Sequence, residues 1–210
     1  MLWLFHRVPH SGLRLVGFGL LVAAFVRLSV NPYVLSYHTR AATPIFNWYL
    51  YAYGIVTACL FVGAALLAPP RNKISDVNIP PILFTLGTVL AFLLLNIEIA
   101  DYFSDPGSNL TFQFSGNFAR DMTYSIAWAL FALALLIVGI WRKLPGARYS
   151  ALALLGVTTL KLFFHDLARL NQMYRVGALV GVAVIAFLAS LAYQRFFATT
   201  AKKEADEPAP

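Results

Sequence analysis

Apolar residues along this chain gather into stretches of the roughly 20 residues needed to cross the bilayer's hydrocarbon, parted by short polar or proline-containing breaks. Six spans are expected on this pattern: 12–30, 47–68, 81–103, 124–141, 148–165 and 173–195. Pro80-Pro81 marks the start of the third. The predicted class is all-α transmembrane.

The pattern also repeats. Gly12-Leu-Arg14 opens the first span with Arg27 thirteen residues after Arg14, and Gly146-Ala-Arg148 opens the fifth with Lys161 thirteen after Arg148. Each is followed by a returning helix, and the middle pair shares the layout with Glu98 where the others carry a base. The expected arrangement is therefore about six helices in three hairpins of like orientation.

Charge adds an orientation. Ten bases (Arg7, Arg14, Arg71, Lys73, Arg142, Lys143, Arg148, Arg195, Lys202 and Lys203) flank one side of the spans, and six (Arg27, Arg40, Arg120, Lys161, Arg169 and Arg175) flank the other. By the positive-inside rule both termini are expected in the cytoplasm. Residues 1–11 then form a cytoplasmic segment, 12–197 the membrane domain and 198–210 a disordered cytoplasmic tail. The two longer loops, 31–46 and 104–123, face outward.

Composition agrees: 60% of the 210 residues are hydrophobic, 12% are charged and the mean hydropathy is +0.70, far from an ordinary soluble domain. The net charge of +7 is spread over span ends and forms no basic face, so nucleic acid is not an expected partner. The single cysteine, Cys59, cannot form an intrachain disulfide and is read as a small packing residue.

Chemistry is sparse but placed. Arg27, Glu98 and Lys161 form an intramembrane charge set, and an ionisable group in a spanning helix costs roughly 2.5–3.5 kcal/mol on insertion scales. Such a group pairs, snorkels or lines a polar path. Glu98 is short and snorkels poorly, so it needs a partner; Arg27 and Lys161 are the candidates. Glu98 and Asp101, three apart, share a helical face. They suit either a cation or proton site, or one buried and one wet acid.

An outer-face polar cluster is expected from Asn47, Asp101, His165, Asp166, Arg169 and Arg175. Lys161, His165 and Arg169 fall on one helical stripe, fit for a headgroup-level cap or a phosphate or carboxylate headgroup. Neither a nucleophile nor a second metal-spaced histidine accompanies His165, so no catalytic residue, metal or cofactor is assigned. Phe46-Asn-Trp-Tyr-Leu-Tyr-Ala-Tyr-Gly54 opens the second span and reads as an aromatic interface belt. Gly17, Gly63, Gly87, Gly177 and Gly181 are candidates for close helix contact.

That aromatic segment, with Phe92-Leu-Leu-Leu-Asn-Ile-Glu98, Tyr124-Ser-Ile-Ala-Trp128, Leu160-Lys-Leu-Phe-Phe-His-Asp-Leu167, Arg175 and Tyr193-Gln-Arg195, resembles the C-terminal part of large bacterial predicted membrane proteins, domain of unknown function 2339. The resemblance runs along most of residues 12–197. It implies a multi-pass protein of the bacterial inner membrane and cell envelope and brings no activity with it. This chain would correspond to the last six spans of a longer array, as a fragment, a reduced relative or a subunit. Ala100-Asp101 stands where the family has a base after the Asn96-Ile-Glu98 motif.

The leading expectation is a non-catalytic structural or interaction component of an envelope assembly, with the bilayer, a membrane-protein partner or second copy, and a lipid headgroup as partners. Two alternatives stand beside it: a transporter or lipid-handling protein with an acidic site at Glu98, and a membrane enzyme acting on lipid-linked substrates at the outer face.

Overall fold

A computed structural model of the chain describes residues 2–3, 11–37, 43, 45–67, 69, 72–74, 77–104, 110, 112–113, 116–166, 176, 180–191 and 193–194. Five of its helices are long and apolar enough to cross a membrane: Gly12–Val30, Trp48–Leu66, Ile79–Tyr102, Phe118–Trp141 and Pro145–His165. They are the first to fifth spans below. Of the expected sixth, 173–195, the described part includes the shorter apolar helix Val180–Leu191.

The chain forms two compact units, 1–113 and 114–210. In the first, the opening helix Ser11–Val30 stops ahead of Pro32, whose ring disfavours helical geometry in the residue before it. Asn31 then caps a 3-10 helix, Pro32–Ser36, by accepting from the Tyr33 amide at 3.1 Å. Asn47 caps the second span by accepting from the Leu50 amide at 2.9 Å. A two-residue antiparallel ladder, Lys73–Ile74 with Val77–Asn78, precedes the third span, whose first turn holds Pro80 and Pro81. That ladder was not foreseen.

The second and third spans pack closely where glycine removes the side chain. A Cβ placed on Gly87 would lie 3.0 Å from the Phe61 ring, and one on Gly63 would lie 3.0 Å from Leu21 and 3.3 Å from Leu83. Gly17 approaches Leu2 in the same way. Gly181 meets nothing within 4 Å, and Gly177 lies outside the described residues. The core of this unit runs through Tyr49, Tyr53, Leu60, Leu83, Leu90 and Ile97.

In the second unit the fourth span begins at Phe118, six residues before the expected Tyr124. The reason is local: Asn117 accepts from the Arg120 amide at 3.3 Å, so a cap starts the helix inside polar sequence that hydropathy reads as loop. The helix ends in a reciprocal pair of bonds, Leu144 N–H to Gly139 C=O at 2.9 Å and Lys143 N–H to Ile140 C=O at 3.1 Å, with Lys143 at φ +53°. This is the Schellman closure with a lysine in the left-handed position that glycine usually fills. Pro145 starts the next helix at once. The two backbones are close here too, since a Cβ on Gly139 would sit 3.0 Å from the Arg148 nitrogen. Gly139 was absent from the expected contact glycines.

Cys59, read as a small packing residue, is exposed on the second span. Phe112 and Gln113 lie outside helix and strand, and the rest of the expected Phe112-Gln-Phe-Ser strand falls outside the described residues.

Candidate functional site

Two polar nodes, one in each unit, gather most of the chemistry. In the first, Asn47 is 2% exposed and uses its whole carboxamide. The oxygen caps the second span; the nitrogen donates to Glu98 Oε2 at 3.2 Å and to Asp101 Oδ2 at 2.9 Å. The start of the second span is thus tied to the end of the third. Ile45, two residues before Asn47, has φ +73°, a strained value for a β-branched residue, and lies in the bend that leads into the cap.

Glu98 and Asp101 share one face because 100° per residue brings i and i+3 together, and the same carboxamide reaches both. Asp101 is buried; Glu98 is partly buried, and its other oxygen, Oε1, is shielded and accepts no hydrogen bond among the described residues. Asn96 turns its amide back onto the Phe92 carbonyl at 2.7 Å.

Two tyrosines extend the node to the first span. Tyr53 donates to the Leu28 carbonyl at 2.9 Å, one of the last-turn carbonyls a helix leaves without an internal partner. Tyr49 donates to the Leu35 carbonyl, also at 2.9 Å. Tyr49 is fully buried whereas Tyr51 is 59% exposed. Of the expected aromatic belt, Tyr51 is exposed as a belt residue would be, while Tyr49 and Tyr53 face inward. Their i, i+4 spacing, continuing to Thr57 and Leu60, was the available signal.

Lys161 forms the node of the second unit. Its Nζ donates to Ser125 Oγ at 2.8 Å and to the Asp121 carbonyl at 3.2 Å, joining the end of the fifth span to the start of the fourth. Arg120 and Asp121, both nearly buried, sit beside it with Nε and Oδ1 3.8 Å apart. Tyr124 is fully buried and meets Trp128 edge-on at 6.5 Å between ring centroids. Asp121 and Ser125 were missed by the sequence reading because an acid and a serine at a loop border carry no pattern of their own.

The three charges of the expected set are thus placed by different contacts. Arg27 lies over the Tyr37 ring at 5.8 Å, Glu98 accepts from Asn47, and Lys161 reaches Ser125. Of the outer-face cluster, Asn47 and Asp101 are bonded to each other. His165 is half-buried in the π-helical turn Leu162–Asp166 that closes the fifth span. The Asp166 side chain, Arg169 and Arg175 lie outside the described residues.

The Asn47 node can be tested without losing the cap. Asp caps a helix as well as Asn does but donates nothing to a carboxylate and adds a like charge. Asn47→Asp should therefore lower thermal stability in detergent at least as much as Asn47→Ala; an Asn47→Asp protein melting with wild type would show that only the cap matters.

No curated protein and no solved structure matches the chain. A family model does, over residues 2–196. The chain, a membrane protein with five span-length apolar helices, belongs to the family described as predicted membrane protein, domain of unknown function 2339.

Proposed function

We propose that this protein is a non-catalytic structural or interaction component of a cell-envelope assembly in the bacterial inner membrane, built as three helical hairpins with both termini in the cytoplasm. One observation carries the reading: the Asn47 carboxamide is spent on joining two helices, with both nearby carboxylates as its acceptors. Lys161 is spent the same way in the other unit. Polar groups in hydrocarbon that bind one another fix a packing arrangement and leave the remaining helix surface to lipid or to a partner. The exposed faces are apolar and extensive, including Leu15, Leu20, Ile55, Val62, Leu130 and Trp141.

A second reading has an observation of its own. Glu98 Oε1 is shielded yet bonded to nothing among the described residues, and Asp101 is next to the same amide. That is where a proton- or ion-carrying site would lie in this unit.

Affinity purification in native lipid discs, with mass spectrometry of everything retained, separates the two. The structural reading expects a stoichiometric protein partner held by wild type and by Glu98→Gln alike. It is contradicted if no partner is retained and the reconstituted protein carries a proton or ion flux that Glu98→Gln abolishes. For the orientation, a cysteine at Ser108 should react with impermeant reagents applied from outside; reaction only from inside would reverse it.

A further inference from the structure

The first span keeps a cation that the two nodes do not use. Arg27 is exposed, lies over the Tyr37 ring, and forms no hydrogen bond or ion pair among the described residues. It stands at one end of a groove of about 760 Å³ that runs along the first span from Phe18 to Val30, with Asn31 and Tyr33 at the Arg27 end. From Phe18 to Val30 the groove follows twelve residues of helix, about 18 Å at 1.5 Å per residue. The floor is apolar and is deepened at Gly19, where an added Cβ would meet nothing within 4 Å. Only 6% of this span's apolar window is buried, so the groove opens on the surface of its unit.

We infer that this groove is a binding site for an anionic phospholipid of the surrounding bilayer, its phosphate held by Arg27 and an acyl chain laid along Val26, Ala23, Val22 and Gly19. The chemistry is complementary end to end. A guanidinium offers paired N–H donors to a phosphate, and Asn31, whose amide donates to the Tyr37 hydroxyl at 3.3 Å, lies with Tyr33 at the same end of the groove. Among the described residues the remainder of the lining is apolar, which a lipid tail covers and a free phosphate does not. Arg27 is held near the span's end, where Asn31 and Pro32 stop the helix, so the charge lies toward headgroup depth while its stem stays with the tail. The inference stands apart from the assembly reading, since it concerns the lipid-facing surface of one span.

The test is native mass spectrometry of the full chain exchanged into equimolar phosphatidylglycerol and phosphatidylcholine. Wild type should retain the anionic lipid with about a fivefold preference, the factor one cation is worth at an anionic surface. Arg27→Gln should remove the preference, and Arg27→Lys should keep most of it. Gly19→Leu, which fills the floor of an open groove, should lower the amount of either lipid retained. Equal retention of the two lipids by wild type, or an undiminished preference in Arg27→Gln, would overturn the inference. So would a Gly19→Leu protein that keeps its lipid but sheds a protein partner, because the groove would then seat protein.

Discussion

A bilayer offers no water to a polar group, so a buried polar side chain is stabilised when it finds a partner on another part of the chain. Asn47 answers that constraint for the first unit. Its oxygen satisfies an amide at the start of one helix while its nitrogen satisfies two carboxylates at the end of another. Remove it, and a helix start and two acids each lose a hydrogen bond together. Tyr53 and Tyr49 follow the same rule for the carbonyls at and after the end of the first span. Polar satisfaction and helix placement are one problem with one solution here.

The two units solve it by the same plan with different residues. Each joins a pair of consecutive spans by close backbone approach at one end and by a polar node at the other. In the first unit Gly63 meets Leu83 and Asn47 meets Glu98 and Asp101; in the second Gly139 meets Arg148 and Lys161 meets Ser125 and the Asp121 carbonyl. Dispersion supplies the first kind of contact and direction the second. An apolar helix surface by itself does not choose a register in lipid, since tails are as apolar as leucine, whereas a hydrogen bond does. The like plan joins the second span to the third and the fourth to the fifth, a pairing different from the first-to-fifth repeat in the sequence.

Helical type was legible in the sequence because hydropathy over twenty residues is a strong signal; of the six spans expected, five appear as span-length helices, their ends within six residues of the expected ones, and the described part of the sixth includes a shorter apolar helix. The largest boundary error, at Phe118, arose because an asparagine cap overrides hydropathy locally. Glu98 and Asp101 could be placed on one face by spacing alone. Asn47 could not be assigned to them, because a contact across fifty-odd residues leaves no trace in local pattern. Sequence alone names Arg27 and Lys161 as candidate partners for Glu98 because a charge is the partner that composition makes visible. Within each unit a neutral carboxamide, a serine hydroxyl and a backbone carbonyl also bind these charges, and such groups have no signature of their own.

If polar contacts between helices hold these units together, Asn47 and Asp101 must be energetically coupled. A double-mutant cycle with Asn47→Ala and Asp101→Ala, read by reversible unfolding in lipid discs, measures that coupling directly. The account predicts an interaction energy of about 0.6 kcal/mol or more, about 0.6 being the average and about 1.7 the maximum found for hydrogen bonds between membrane helices. Costs that add to within about 0.3 kcal/mol would mean that the two side chains do not stabilise each other, and that packing alone sets the arrangement.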